Sequence, residues 1–496
     1  MLEVNDVSIQ IHTRYFIQSL SFTLNKKDKL AVIGEEGNGK STLLKCLLGI
    51  CHYANVTGTI HSKGSIGYLE QSLNEECTKK TVYEYLFPNN QSFYNHTHHL
   101  YQYLAQLKLN DTILEQSMGV LSGGEKVKVQ ILRLLIEDYD ILFLDEPTND
   151  LDIETLEWLE QFLNQIDKPI LFISHDETLL SRTANRILHI EQTKHKTECK
   201  HTLLNVDYQT YVEMRKQKLE KQTQMAVFEK REYQKKQEKL KKIMQKVEYQ
   251  QNTITRADPH GAKVLKKKMH TLKSQEKKMN QMERTEIPDV EEEIHFYFEK
   301  IGIPKNKVIL NLDLSKLKTN RLLSKNIHLE IIGNVHICII GKNGVGKTTL
   351  LKQIYETLKT REDLRIGYMP QTYEELFNPQ QTVLAFCTEA LPEEASVRMY
   401  LGNMKFTKEE MTGKISDLSN GTKAKLLLVK LVLEKCNVLI LDEPTRNVSP
   451  LSAPVIRTVL KNFGGTIISV SHDRKYIEEV IDIVYELKPN GLEKKN

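Results

Sequence analysis

Apolar residues fall into two patterns along this chain. In the first, uninterrupted short runs read as buried strands. These are Lys29–Gly34 and Val335–Gly341, each ending in a glycine-rich loop, Ile141–Leu144 and Val438–Leu441, and Pro169–Ser174 and Thr466–Val470. Between them, Lys126–Glu137 and Ala424–Glu434 carry helical spacing. Strands alternating with helices predict an α/β sandwich around a mostly parallel sheet.

The second pattern occupies the middle of the chain. Val212, Leu219, Ala226, Tyr233, Leu240 and Val247 recur every seven residues, while the alternate heptad position is polar at Arg215, Gln222, Glu229 and Lys236. Residues 208–285 contain almost no Gly or Pro outside Asp258-Pro259-His260-Gly261, after which Leu265, Leu272 and Met279 resume the spacing. The pattern predicts an antiparallel helical hairpin with its tip near Asn252–Ala257, Asp258 as N-cap and Pro259 as first helical residue. At ~1.5 Å per residue its arms would run roughly 40–65 Å.

An internal repeat organises the rest. Ser122-Gly-Gly recurs as Ser419-Asn-Gly, Asp145-Glu146-Pro147-Thr148 as Asp442-Glu443-Pro444-Thr445, and Ser174-His175-Asp176 as Ser471-His472-Asp473, all 297 residues apart. Gln71 pairs with Gln371 at 300 and Lys40 with Lys347 at 307, a drift that loop insertions would produce. Two homologous halves thus flank an unrelated segment.

Composition sharpens this. With 496 residues, 40% hydrophobic and 27% charged, the chain has room for roughly three globular domains. The seven cysteines form no CxxC pair, which argues against a disulfide framework or a metal cluster. The N-terminus has no apolar signal-like run, and no stretch nears ~20 uninterrupted apolar residues. A cytoplasmic protein without membrane spans is therefore expected. The net charge of +4 hides an asymmetry: Tyr208–Thr285 holds 21 Lys+Arg against 9 Asp+Glu, leaving the remainder at −8. Positive charge is concentrated where a polyanion would be met.

The glycine-rich loops Gly34-Glu-Glu-Gly37-Asn38-Gly39-Lys40-Ser41 and Gly341-Lys-Asn-Gly344-Val345-Gly346-Lys347-Thr348 both match GxxxxGK[ST]. Such loops, with the residues that follow (Thr42, Thr349), turn backbone N–H groups and a helix N-terminus toward phosphate oxygens. Lys40 and Lys347 would reach the β- and γ-phosphates of ATP, while Ser41 and Thr348 would hold Mg²⁺. Asp145 and Asp442 end apolar strands, where a carboxylate can join the Mg²⁺ shell. Glu146 and Glu443 sit where a carboxylate could polarise an attacking water. His175 and His472, each 30 residues past the Asp at the end of the next strand, are expected at the γ-phosphate.

These residues together resemble the ATP-binding cassette superfamily. Leu121-Ser122-Gly123-Gly124-Glu125 is by itself compatible with an ordinary capping box. Between a phosphate loop and the Asp-Glu pair it looks like that family's signature loop, as does Ser419-Asn420-Gly421. The resemblance implies that each signature loop completes the ATP site of the opposite cassette, so that two cassettes clamp two ATPs head to tail. It also implies that Gln71 and Gln371 contact Mg²⁺ and the attacking water. The expected fold is α/β, with two tandem P-loop cassette domains at 1–206 and 289–496 joined by a long helical hairpin linker at 207–288. Tyr15 and Phe16 are candidates for stacking on adenine, with no obvious equivalent in the second half.

Two cassettes without a membrane segment, joined by a long basic hairpin, resemble the ABC-F proteins, which bind ribosomes. The resemblance implies a monomer with an intramolecular cassette pair. Its linker would enter the tRNA exit site of the 70S ribosome, near 23S rRNA and the P-site tRNA. The linker contacts would be Thr253, Ile254, Thr255 and Arg256 at the tip, and Lys263, Lys266, Lys267 and Lys268. Residues 259–275 carry five Lys and no acid. They lie at the start of a helix, where the dipole disfavours cations, so a plain solvated spacer is the weaker reading. Leu418-Ser419-Asn420-Gly421-Thr422 and the D-loop Thr445-Arg-Asn-Val-Ser-Pro450 depart from the usual forms. Those departures resemble the antibiotic-resistance branch, ribosome protection proteins acting against lincosamides, streptogramin A and pleuromutilins. Gln71 to Leu121 spans nearly as many residues as Gln371 to Leu418, so the arm insertion of housekeeping members is absent. No long extension follows His472. The duplicated ATPase subunit of a sugar importer, whose halves are joined by a short linker, and a housekeeping translation factor are the competing readings.

Overall fold

The structure, a computed structural model, describes residues 1–495 apart from 13, 72, 89–92, 150, 194–197, 254–258, 281–302, 319–321, 373–375, 405 and 447. Two compact units are present: residues 1–208 together with 293–496, and residues 209–292.

In the first unit each half builds the same sheet. The first half supplies β1 (Leu2–Ile11), β2 (Arg14–Leu24), β3 (Lys29–Ile33), β4 (Asn55–Ser62), β5 (Ile66–Leu69), β6 (Ile141–Asp145), β7 (Ile170–Ile173), β8 (Arg186–Thr193) and β9 (Glu198–Leu204). The second supplies β10 (Val308–Lys318), β11 (Leu322–Ile332), β12 (His336–Ile340), β13 (Ile366–Met369), β14 (Val438–Asp442), β15 (Thr466–Val470), β16 (Ile483–Lys488) and β17 (Gly491–Lys495). The six-stranded sheets run β5-β6-β7-β3-β8-β9 and β13-β14-β15-β12-β16-β17, so each strand has its counterpart in the same place. All neighbours pair parallel except the last in each, β8–β9 and β16–β17. A parallel strand covered on both faces needs side chains that avoid water on either side. That is why β6, β7, β14 and β15 are buried throughout and read as unbroken apolar runs. An antiparallel sheet, β2-β1-β4, accompanies the first half, and the β10-β11 pair the second.

Strand order positions the chemistry. β3, β6 and β7 are neighbours, and their carboxyl ends carry the phosphate loop, Asp145-Glu146 and Ser174-His175; β12, β14 and β15 repeat this. Register keeps the groups level, with Asp145 opposite Ile173 and Asp442 opposite Val470. Ligands bind at this edge in open parallel sheets.

In the second unit, the helices Tyr208–Thr253 and Pro259–Asn280 pack antiparallel through Leu240, Met244 and Val247 against Leu265, Met269 and Leu272. The described arms are unequal, 46 and 22 residues, or about 69 and 33 Å at ~1.5 Å per residue. No helix among the described residues is long and apolar enough to cross a membrane.

Candidate nucleotide sites

Both phosphate loops close tightly on a neighbouring strand end. A Cβ at Gly34 would lie 2.4 Å from the Ile190 carbonyl oxygen, and one at Gly341 would lie 2.5 Å from that of Leu487. Only glycine allows that approach. Lys40 and Lys347 begin the following helices and are buried. The Lys40 ammonium donates to the carbonyls of Gly34 (2.9 Å) and Glu35 (3.0 Å). Lys347 donates to Gly341 (2.8 Å), Lys342 (3.0 Å) and the Asn343 side chain (3.4 Å). Burial lowers both lysine pKa values, partly offset by Glu146 at the first site and Glu443 at the second. Asn38 spends its side chain on its own sheet, donating to the Ile190 carbonyl at 3.1 Å.

At the first site oxygen donors converge on Asp145. Ser41 donates to Oδ1 at 3.0 Å and the Tyr68 hydroxyl to Oδ2 at 3.1 Å. At the second, Asp442 is 1% exposed, and neither carboxylate oxygen has a full hydrogen bond. Burial raises its pKa, and the nearby Thr348 hydroxyl and Lys347 ammonium only partly offset this. A buried carboxylate beside a hydroxyl is a hard-oxygen donor set that suits Mg²⁺.

The two glutamates that follow share a backbone and differ in surroundings. Glu146 (φ 50°) and Glu443 (φ 53°) both adopt the left-handed conformation, costly for a side chain bearing a Cβ. Each is held there by donating its N–H to the next strand, to Ile173 O (3.1 Å) and Val470 O (2.9 Å). Glu146 accepts from Gln71 (2.8 Å) and Asn149 (2.6 Å), and His175 Nε2 lies 3.2 Å from its other oxygen. Burial alone would raise its pKa, but His175, Asn149 and the Lys40 charge bring it down to about 2. Among the described residues, Glu443 accepts only long bonds, from Ser471 Oγ (3.4 Å) and the His472 N–H (3.3 Å). Burial and the Asp442 charge push it up to about 7. His472 is pushed down to about 3 by burial and by Lys347. Gln371 is exposed.

The halves meet head to tail. The Gly421 N–H, at the start of the helix Asn420–Leu433, donates to the Glu36 carboxylate of the first phosphate loop. That carboxylate supplies an anion of the kind that a helix N-terminus and its N–H groups attract. Conversely, Lys342 of the second phosphate loop reaches Glu154 at 3.2 Å. His175 Nδ1 lies 3.0 Å from the carbonyl oxygen of Val448 in the opposite D-loop, and the Tyr208 hydroxyl donates to Pro450 O at 3.2 Å. The two signature loops differ. Ser122 and Glu125 form a reciprocal capping box, whereas Ser419 accepts from the Thr422 N–H at 3.2 Å with no carboxylate to complete the exchange.

Phe16 packs on the first phosphate loop: a Cβ at Gly39 would lie 2.8 Å from its ring, and the Arg14 guanidinium covers that ring at 4.9 Å. Leu323 stands at the same place against Gly346, so the second half carries an aliphatic side chain there. Tyr15 points outward, 42% exposed. Lys263, Lys266, Lys267 and Lys268 are exposed, as is Thr253; Ile254, Thr255 and Arg256 lie outside the described residues. Sequence reasoning passed over Glu36, Tyr68 and Asn149. Tyr68 was detectable, because it recurs 300 residues later as Tyr368, the same offset as Gln71 and Gln371. Glu36 and Val448 carried no local signal.

Comparison with known proteins agrees with this geometry. The ABC transporter family profile matches residues 17–149 and 324–446, just over half of the chain. ABC transporter F family member 5 of Arabidopsis thaliana is 29% identical, over 76% of this chain and 53% of that protein. Ribosome protection protein VmlR of Bacillus subtilis is 27% identical, over 100% of this chain and 88% of that protein. Among solved structures, an RNase-L Inhibitor superposes with a TM-score of 0.63 at 17% identity, covering 98% of this chain and 89% of that one. At that identity it speaks for the fold. With the family profile in both halves and two equivalent sheets carrying equivalent phosphate loops, this chain belongs to the ABC transporter family as a twin-cassette ATPase.

Proposed function

We propose that this protein is a cytoplasmic ABC-F-type ATPase that acts on the 70S ribosome. It would protect the ribosome from antibiotics of the peptidyl transferase centre by inserting its linker through the tRNA exit site beside the P-site tRNA. The observation that carries the reading is the helical hairpin between the cassettes with its exposed Lys263, Lys266, Lys267 and Lys268. Similarity to a ribosome protection protein along the whole chain supports it. An importer subunit needs no such arm.

ATP binding draws the cassettes together. Lys40 and Lys347 leave the loop carbonyls for the β- and γ-phosphates, and the opposite signature loop, Ser419-Asn420-Gly421 or Ser122-Gly123-Gly124, offers its N–H groups to the γ-phosphate. Ser41, Asp145 and Gln71 at one site, and Thr348, Asp442 and Gln371 at the other, would hold Mg²⁺, which neutralises charge on the phosphates when bound. Glu146 and Glu443 orient and deprotonate the attacking water, while His175 and His472 steady the γ-phosphate. Hydrolysis releases the clamp and frees the ribosome.

The test is growth of a drug-sensitive host expressing the chain, across lincosamide, streptogramin A and pleuromutilin series, with ribosome co-sedimentation in parallel. Protection by the wild type, lost in a Lys266→Glu/Lys267→Glu/Lys268→Glu variant, is the expected result. Co-purification with a membrane permease and not with ribosomes would refute the reading.

A further inference from the structure

Just beyond His175 and His472 in each half, the cassettes are joined by a buried ionic cluster. Arg457 of the second half donates to Glu177 of the first at 2.6 Å. Arg474 of the second half contacts Glu160 of the first, and also Asp176 at 3.1 Å. Within each half a further pair supports these, Arg182 with Glu160 at 2.9 Å and Arg457 with Glu479 at 2.7 Å. Glu160 and Arg457 side chains are only 6% and 3% exposed.

The repeat relates these residues to one another. Adding the same 297-residue offset turns Glu160 into Arg457, Glu177 into Arg474 and Arg182 into Glu479. Every one of the three changes sign. The two cross-cassette pairs are therefore one contact seen twice, with acid and base exchanged between the halves. Asp176 and its counterpart Asp473 keep their sign, so within this cluster the exchange is carried by those three positions. A pairing of two first cassettes from different chains would set Glu160 against Glu177, and a pairing of two second cassettes would set Arg457 against Arg474. Removing like charges from water without counter-ions is unfavourable, while complementary charges fix register and partner. A surface that must close on the opposite half and never on a second copy needs this kind of discrimination.

We propose that the Glu160/Glu177/Arg182 set and the Arg457/Arg474/Glu479 set are a pairing code, which directs each cassette to the opposite cassette and excludes like-with-like association between chains. The full chain tests it. Glu160→Arg/Glu177→Arg/Arg182→Glu gives both halves the second half's charges, and Arg457→Glu/Arg474→Glu/Glu479→Arg gives both the first half's. Making all six changes restores opposition with the signs reversed. Pairing is read independently of hydrolysis by crosslinking Glu154→Cys to Lys342→Cys with a bis-maleimide long enough to replace the two side chains, whose charged ends meet across the cassettes at 3.2 Å. Each one-sided exchange should cut ATP-dependent crosslinking roughly tenfold or more, and the six-fold exchange should recover at least about half of it. Glu177→Arg with Arg457→Glu repeats the comparison with two changes, should the larger variant fold poorly. One-sided variants that crosslink like the parent would overturn the code, as would two-sided exchanges no better than one-sided ones.

Discussion

The imidazole of His175 bridges the cassettes: Nε2 lies 3.2 Å from Glu146 and Nδ1 lies 3.0 Å from the carbonyl oxygen of Val448 in the other half. A carbonyl only accepts, so Nδ1 is the donor, and the ring is oriented by the opposite D-loop. Nδ1 of His472 has no hydrogen-bond partner among the described residues. The two histidines should therefore be unequal. His175→Ala should slow single-turnover hydrolysis at the Lys40 site by about 10²-fold, and His472→Ala should slow the Lys347 site less. Equal losses would contradict the D-loop's part in orienting the ring.

Glu146→Gln with Glu443→Gln should leave ATP binding intact and lower turnover by about 10³-fold or more, because the clamp closes but cannot reset. Sedimentation with ribosomes in ATP should show the double variant retained where the wild type is released. Wild-type turnover in that variant would remove both residues from the chemistry.

The Lys40 site should be the slower one. Its completing signature loop carries Asn420 and lacks the capping carboxylate, and the Glu36 carboxylate already occupies the Gly421 N–H. Single-turnover hydrolysis in the Glu443→Gln background, which isolates the Lys40 site, should be several-fold slower than in the Glu146→Gln background. Glu36→Asn should narrow the gap by freeing that N–H for phosphate. A gap unchanged by Glu36→Asn would assign the slowness to the loop alone.

Burial and the Asp442 charge push the carboxyl of Glu443 up to about 7, against 4.5 in an unfolded chain. A raised carboxyl means the folded state holds its proton more tightly. Stability is therefore lost as pH rises from 4.5 through 7, by about 3 kcal/mol when complete. Glu443→Gln removes that loss. It should raise the thermal midpoint at pH 8 and change it little at pH 5. A stabilisation independent of pH would indicate relief of backbone strain instead.

If the proposed function holds, replacing Lys266, Lys267 and Lys268 by Glu should weaken ribosome binding and lower the slope of log affinity against log salt by about 2 to 3, the change expected for the loss of three phosphate contacts. ATPase activity without ribosomes should be spared. Sedimentation across a salt series, paired with an ATPase assay, measures both. Unchanged sedimentation would make the hairpin a passive spacer.

The motifs that each sheet gathers at its carboxyl edge were legible in the sequence because they are local. A phosphate loop, an Asp-Glu pair and a Ser-His-Asp triplet each lie within a few consecutive residues, and their backbone geometry follows from glycine and strand ends. The 297-residue repeat then placed the second set. The heptad spacing at Leu240, Val247, Leu265 and Leu272 likewise foretold the packed hairpin, since the period of an apolar stripe is a property of one helix. Asymmetry between the sites was not legible to that extent. Glu146 and Glu443 occupy identical motifs, yet one is held near 2 and the other near 7. Their ionisation depends on which donors burial brings within reach, and Asn149 meets Glu146 where the repeat has Arg446 instead. The contacts of Glu36 with Gly421 and of His175 with Val448 join residues hundreds of positions apart, and the paired charges of Glu160, Glu177, Arg457 and Arg474 do the same. A sequence displays such residues singly. Only the closing of one cassette on the other decides which charge faces which.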